Sequence, residues 1–131
     1  MTTASGTFEV TGGSEDPYDE LDGIKLTHAS GTQTFRGDID GQGAVHWLML
    51  YRADKSAHFV GLQRITGSVG GRQGTFVLAA EGDHEAGGSR IDLTVVPGSG
   101  TGDLSGIQGS GGMTAPGGAN GTYELEYTIE T

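Results

Sequence analysis

Hydrophobic and polar residues alternate along most of this chain, and the periodicity of an amphipathic helix is hard to find. The alternation is cleanest from Thr122 to Ile129, where aromatic and aliphatic residues occupy every second position. Similar runs recur at intervals of about 8–12 residues, which is the spacing of strands in barrels and sandwiches. The pattern therefore predicts seven or eight short β-strands.

The predicted strands differ in length and in the composition of their two faces. A short first strand lies around residues 8–10, and the glycine- and acid-rich stretch 12–22 is predicted to be a loop. A long strand follows from 24 to 39, broken near Gly31. Because the segment 44–52 is apolar at nearly every position, we expect both of its faces to be covered. The remaining strands are predicted at 58–69, 73–81, 90–96 and 122–129.

Short turns between consecutive strands favour an up-and-down arrangement, and Gly70-Gly71 is the clearest hairpin signal. Such a meander removes its exposed edges when it closes on itself. A chain of 131 residues is long enough for one core and too short for two ordinary domains. We therefore predict an all-β fold, a closed antiparallel β-barrel of about eight strands, in a single domain spanning residues 1–131.

Composition narrows the partners that this barrel is expected to have. The chain carries 17 acidic and 7 basic residues, with a net charge of −10. A surface this acidic repels phosphate backbones, and no basic cluster is present to bind anionic lipid. We expect neither a nucleic-acid partner nor a membrane partner.

The absence of cysteine excludes disulfides, thiolate metal sites and cysteine nucleophiles. The first five residues lack the basic and apolar regions of a secretory signal. No apolar stretch approaches the length that spans a membrane. The expected location is therefore the cytoplasm.

Four histidines raise the question of a metal site, but no two of them have the close spacing of paired metal ligands. They are His28, His46, His58 and His84. The glycine-rich stretch 98–109 is also not a phosphate-binding loop, because its glycine spacing is one residue too long and no helix follows. We predict no metal and assign this stretch to a turn.

A ligand cavity requires aromatic and polar side chains on the inner face of the barrel. One face of the segment 44–52 carries Trp47, Met49 and Tyr51, and the next strand carries Phe59 and Gln63. Phe76 is the corresponding aromatic residue one strand later. These six residues are the candidate ligand contacts, although simple packing of the core is the competing interpretation. Alternation alone does not say which face of a strand points inward.

A carboxyl group buried beside aromatic residues has a raised pKa and acts as a general acid or base. Glu15 and Glu81 are the candidates by position, with His46 and His58 as alternatives. If one of the two glutamates is the catalytic acid, its substitution by glutamine should abolish turnover.

Three segments resemble the small bacterial DUF3224 family, whose function is unassigned. They read FRGDI at 35–39, VGLQRITG at 60–67 continuing through GRQGTFVL at 71–78, and VVPGSGTGDLSGIQG at 95–109. The likeness extends from about residue 7 to residue 127. That family in turn resembles the allene oxide cyclase barrel, shared with the dirigent proteins, and the clearest link is the stretch 98–109.

This resemblance implies an eight-stranded allene oxide cyclase-like barrel that binds apolar small molecules without a metal or organic cofactor, and a homo-oligomer. In allene oxide cyclases a glutamate near the end of the first strand acts on the substrate, which points here to Glu9 or Glu15. The asparagines of the plant enzyme are not matched, since Asn120 is the only asparagine. Allene oxide cyclase activity itself is therefore not expected.

Three functions fit these observations. The first is a cofactor-independent cyclase or isomerase acting on an apolar small molecule inside the barrel. The second is a non-catalytic ligand-binding barrel, which a cavity without an interior acid would favour. The third is a protein-interaction barrel, which a filled interior with an exposed apolar patch would favour.

Overall fold

The computed structural model describes residues 1–117 and 120–130, so 118, 119 and 131 of the predicted domain lie outside the described residues. Within the described residues, eight antiparallel strands follow one another in sequence order and close into a barrel, with β1 pairing with β8. This confirms the predicted closed barrel of about eight strands. The strands are β1 (Thr2–Leu21), β2 (Ile24–Gly37), β3 (Ile39–Tyr51), β4 (Ala57–Val69), β5 (Arg72–Glu85), β6 (Gly88–Val95), β7 (Ile107–Ala115) and β8 (Asn120–Ile129).

Two hairpins use turns in which both central residues have positive φ. Gly70 and Gly71 join β4 to β5 with φ of 57° and 87°, as the sequence predicted. Asp22 and Gly23 join β1 to β2 with φ of 52° and 82°. Turns of this kind match the right-handed twist of the strands that they connect, which explains why they close hairpins.

The predicted loop at 12–22 is wrong, because residues up to Leu21 belong to β1. Among the described residues, β1 pairs with β8 from Thr2 to Glu9, whereas its pairing with β2 continues to Leu21. Residues 10–21 therefore extend along β2 beyond Asn120 of β8, and we call this segment the arm. Every residue of the arm is exposed, including Val10, Tyr18 and Leu21, so its sequence shows no alternation of buried and exposed positions.

Two other expectations about the strands are also corrected. The predicted long strand 24–39 is two strands that meet at Asp38, and it is not broken at Gly31. The segment 44–52 is not covered on both faces, since Leu48 on the outer face is 52% exposed. A barrel wall has one inner and one outer face, so only alternate residues of β3 reach the core.

The two ends of the barrel differ in how they are filled. At the end where β2 meets β3 and β4 meets β5, large inward side chains pack without exposure to solvent. We call this the closed end, and its fully buried residues include Phe35, Ile39, Ile65, Phe76, Leu104, Ile107 and Leu125. The opposite end, where β1 meets β2 and β3 meets β4, is called the open end.

The closed end is held partly by Tyr123 of β8. Its hydroxyl accepts a hydrogen bond from the Ile39 amide at 2.8 Å and donates to the Arg36 carbonyl oxygen at 2.9 Å. Burial raises the pKa of Tyr123, so the hydroxyl stays protonated well into alkaline pH. A side chain at Gly6 would lie 2.6 Å from this hydroxyl, which explains why glycine occupies the intervening strand.

The glycine-rich connection between β6 and β7 covers the closed end. It contains a short 3₁₀ helix, Gly102–Leu104, and Leu104 is completely buried. The Thr101 amide donates to the Thr75 carbonyl oxygen at 2.8 Å, which fixes the connection to β5. Its role is therefore structural, as predicted, whereas residues 107–109 of the predicted turn belong to β7, a strand that the alternation did not reveal. Within the described residues, no helix has the length and apolar character needed to cross a membrane.

Candidate functional site

The open end of the barrel contains a cavity of about 750 Å³, which we call the open-end cavity. Small-molecule sites commonly have volumes of about 300–1,000 Å³. Its wall is the inner face of β1 to β7, and most of the wall is apolar. The larger apolar side chains that line it are Phe8, Val45, Trp47, Met49, Phe59 and Ile91.

Small residues at the inward positions create this space. Ala29 and Gly31 of β2, Ala57 of β4 and Ala115 of β7 all line the open-end cavity. The same strands carry phenylalanine, isoleucine or leucine at inward positions near the closed end. The cavity is thus a consequence of side-chain volume within an otherwise regular barrel.

Glu15 lies on the inward side of the arm and is held by two hydroxyl groups. Thr27 donates to Glu15 Oε2 at 2.5 Å, and Tyr51 donates to the same oxygen at 2.7 Å. Thr27 is buried and Glu15 is exposed, so the carboxylate lies at the mouth of the cavity. Within the described residues, Oε1 of Glu15 accepts no hydrogen bond, which leaves it able to accept a proton or to bind a donor.

Burial raises the pKa of Tyr51 to about 12, with further contributions from the hydrogen bond to Glu15 and from its negative charge. Tyr51 is therefore protonated at neutral pH and remains a hydrogen-bond donor. The pair presents a carboxylate beside a fixed O–H group. This arrangement suits proton transfer at the cavity mouth.

Trp47 and Phe59 form the aromatic part of the wall. Their rings meet edge to face, with centroids 4.9 Å apart and an interplanar angle of 79°. Gly61 pairs with Trp47 across β3 and β4, and a side chain there would lie 2.7 Å from the indole ring. Gly61 is therefore required for the packing of Trp47 against the barrel wall.

Two glutamines separate the open-end cavity from the closed end. Gln33 lines the cavity and is 6% exposed, and Gln63 behind it is 1% exposed. The Gln63 amide nitrogen donates to Gln33 Oε1. The Oε1 atom of Gln63 has no hydrogen-bond partner among the described residues. We call these two residues the amide floor.

His84 lies on the opposite wall of the cavity and was not among the sequence candidates for a catalytic residue. Its Nδ1 is 2.8 Å from the Ser89 hydroxyl oxygen. The alternation of β5 could have identified it, since Phe76, Leu78 and Ala80 share its strand face. The predicted strand ended at residue 81 and therefore excluded His84, whereas β5 continues to Glu85.

The structure brings five of the eleven predicted site residues to the open-end cavity and leaves six elsewhere. Glu15, Trp47, Met49, Tyr51 and Phe59 line it. Gln63 lies beneath it in the amide floor, and Phe76 is buried at the closed end. The remaining four, Glu9, Glu81, His46 and His58, are exposed or partly exposed on the outer face.

The four outer residues have partners there. Glu9 is 4.0 Å from Arg36, and His58 is 2.9 Å from Asp83 and 3.6 Å from Glu81. These are exposed contacts, which contribute little to stability. Strand alternation could not decide their orientation, because a shift of one residue exchanges the two faces.

A second concave surface lies on the outer face of β2 to β6. Its volume is about 760 Å³, and its exposed apolar residues are Leu48, Val60 and Leu62. His28 and His46 lie at one side with stacked rings, their Nε2 and Nδ1 atoms 3.1 Å apart. We call this surface the outer groove. The pairing register of β2 and β3 brings the two histidines together, which sequence spacing did not reveal.

The charges around the open-end cavity limit the kind of ligand that it can bind. Among the described residues that line the open-end cavity, none is lysine or arginine, and the charged group is Glu15. No cluster of three or more metal-ligating side chains is found within the described residues. The open-end cavity therefore disfavours an anionic ligand, which would find no cation among the described lining residues.

A protein-family model described as "Protein of unknown function (DUF3224)" matches residues 4–127. The chain is also similar to a protein of unknown function from the DUF3224 family of Shewanella oneidensis MR-1, whose crystal structure is solved. The two share 30% sequence identity over 100% of this chain and 99% of that chain, with a TM-score of 0.82. Among curated proteins none matches this chain.

Proposed function

We propose that this chain, which belongs to the DUF3224 family, binds a neutral, apolar small molecule in the open-end cavity. The observation that carries this proposal is a volume of about 750 Å³ lined by aromatic and aliphatic side chains. Small-molecule sites usually combine such a wall with a few convergent polar groups. Glu15 and Tyr51 at the mouth and Gln33 at the floor are those groups.

The polar groups at the mouth also support a catalytic role. The Glu15 carboxylate accepts a proton from a carbon next to a carbonyl of the ligand and then returns it to another carbon. Because the protonated carboxyl group is a weaker acceptor, the Tyr51 hydroxyl can leave Glu15 and donate to the enolate oxygen that develops on the ligand. Proton movement of this kind needs no cofactor and is the chemistry of isomerases and cyclases. A cofactor-independent isomerase or cyclase is therefore the activity that we propose for the site.

Binding is tested with N-phenyl-1-naphthylamine, a neutral apolar dye that fluoresces when it leaves water. We expect the protein to bind it at one saturable site. Ala29→Phe fills the cavity from β2 and should weaken binding at least tenfold, whereas Ala44→Phe on the exposed outer face should leave it unchanged. If both variants bound the dye equally well, the dye would not be in the open-end cavity, and the proposal would be wrong.

Catalysis is tested by the exchange of the α-protons of 2-dodecanone for deuterium, followed by NMR. The protein should accelerate the exchange, and Glu15→Gln should abolish the acceleration while the dye still binds. Glu9→Gln is the control, since Glu9 is exposed on the outer face. Acceleration that survives Glu15→Gln would exclude Glu15 as the base. Dye binding without any acceleration would favour the non-catalytic ligand-binding barrel.

The outer groove favours a second candidate function, a protein-interaction barrel whose partner is another copy of this chain. Leu48, Val60 and Leu62 form its apolar centre, with His28 and His46 on one side and Glu81 and Asp92 on the other. A two-fold rotation places the imidazoles of one copy opposite the carboxylates of the other. Leu48→Ser/Leu62→Ser should then convert a dimer to a monomer in sedimentation. A monomeric wild-type protein would exclude this function.

A further inference from the structure

The amide floor marks the deep end of the open-end cavity, so the depth of the cavity can be measured from the mouth to the floor. Val45, which pairs with Gln63 of the floor, and Tyr51 at the mouth both line the cavity and lie six residues apart on β3. Six residues of a strand span about 20 Å, which corresponds to about 15 Å along the axis of a barrel whose strands are tilted. With a volume of about 750 Å³, the cavity is about twice as deep as it is wide. It fits an elongated molecule better than a compact one.

The amide floor is the polar feature at the deep end of the open-end cavity, most of whose wall is apolar. The Gln63 amide nitrogen donates to Gln33 Oε1, so the amide nitrogen of Gln33 is not used in that bond. Gln63 Oε1 has no partner among the described residues, although Gln63 is only 1% exposed. Buried amides are normally satisfied, and one that is not calls for an explanation. The two glutamines therefore have hydrogen-bonding capacity beyond what they use on each other.

The chemistry of the floor limits the group that binds there. A primary amide is neutral and offers both N–H donors and a carbonyl acceptor. It binds a hydroxyl or carbonyl oxygen well, whereas a carboxylate would be left without a cation, since no lysine or arginine is among the described lining residues. A hydrocarbon end would leave the Gln33 amide unpaired when it displaced water.

We propose that the ligand of the open-end cavity is an elongated, uncharged molecule whose deep end carries a hydroxyl or carbonyl oxygen bound by Gln33. A long-chain alcohol, aldehyde or ketone has this chemistry. Gln33 sets the specificity, and Gln63 positions the Gln33 amide. This inference rests on the proposed function, because it needs the cavity to be a ligand site.

The experiment measures displacement of bound N-phenyl-1-naphthylamine by 1-dodecanol and by dodecane. The double variant Gln33→Met/Gln63→Met removes both amides at nearly constant volume, so neither is left alone. We expect its affinity for 1-dodecanol to fall about tenfold, which is the loss of one well-formed hydrogen bond. Its affinity for dodecane and for the dye should change less than twofold. Gln42→Met, on the exposed outer face of β3, is the control.

The outcomes separate this inference from the proposed function. If the double variant binds 1-dodecanol as tightly as the wild type, the floor does not recognise oxygen and the inference is wrong, while dye binding keeps the cavity as a ligand site. If the wild-type protein binds neither the dye nor 1-dodecanol, both the inference and the proposed function fail. Should the double variant not fold, Gln33→Asn replaces it. That change shortens the side chain by one methylene and moves the amide away from the ligand. It should give a similar selective loss of affinity for 1-dodecanol.

Discussion

The closed end and the open end of this barrel have the same strands and the same alternation but different interiors. At the closed end, inward positions carry large side chains, and Leu104 from the β6–β7 connection completes the packing. At the open end, alanine and glycine occupy several inward positions, and a polar arm carries Glu15 to the mouth. The difference shows that one regular barrel provides both a core and a cavity through side-chain volume alone.

The largest expected effect is on stability, when a phenylalanine is truncated to alanine at either end of the barrel. Phe76→Ala at the closed end removes a completely buried ring and should lower the free energy of unfolding by about 3–5 kcal/mol. Phe59→Ala should cost clearly less, because Phe59 already borders the open-end cavity. Chemical denaturation measures both values. Equal losses would contradict the distinction between a packed end and a hollow end.

The second prediction concerns the connection that covers the closed end. Leu104 is completely buried, so Leu104→Ala should cost about 2–4 kcal/mol. Leu48→Ala, in the outer groove, should change stability by less than about 0.5 kcal/mol, since Leu48 is 52% exposed. A small effect at Leu104 in the same denaturation assay would mean that the connection does not complete the core.

The third prediction adds volume at each end. Ala4→Phe at the closed end has no space to enter, because Ala4 is fully buried, and overpacking should cost about 1–3 kcal/mol. Ala29→Phe enters the open-end cavity and should change stability by less than about 1 kcal/mol. Thermal unfolding compares the two variants. A large loss in Ala29→Phe would show that the open end is not free to accept a side chain.

The fourth prediction concerns the ionisation of Tyr51. Glu15→Gln removes the negative charge beside this hydroxyl, so the pKa of Tyr51 should fall from about 12 but remain above 10.0, because burial is the larger cause of the shift. The difference in tyrosinate absorbance between each protein and its Tyr51→Phe variant reports this titration. Glu9→Gln is the matched control and should not move it. An unchanged titration in Glu15→Gln would contradict the contact at the mouth.

The same shift makes stability depend on alkaline pH. The folded-state pKa of about 12 exceeds the ordinary value of 10.0, so folding favours the protonated form of Tyr51. Its contribution is fully present below pH 10 and is lost as the pH rises through 12. Tyr51→Phe should therefore lose less stability over that interval than the wild type. Some dependence of stability on alkaline pH should remain in both proteins, because the pKa of Tyr123 is also raised.

The fold was more predictable from sequence than the site, for reasons that particular residues illustrate. Alternation revealed the barrel, since each strand has one buried face, as in β8 with Tyr123 and Leu125. It did not reveal that Trp47 points inward and His46 outward, because a period of two does not distinguish the faces. The arm that carries Glu15 was predicted to be a loop, because neither of its faces is buried.

Contacts between residues on different strands could not be predicted from the sequence, for a different reason. The bond between Gln33 and Gln63 and the stacking of His28 on His46 depend on pairing registers that no local pattern specifies. Glu15 was selected by its position and by the family resemblance, but its hydroxyl partners were not foreseen. Local propensity therefore indicates strands, whereas the site requires their three-dimensional arrangement.

Ligand binding in the open-end cavity is tested most directly by a crystal structure of the protein soaked with an ω-bromo-dodecanol, with the bromine located by its anomalous scattering. We expect one bromine site near Glu15 and Tyr51 at the mouth, with the alkyl chain along Trp47 and the hydroxyl at Gln33. Bromine confined to the outer groove, or an open-end cavity that stays free of the alcohol at saturating concentration, would show that the cavity is not the ligand site.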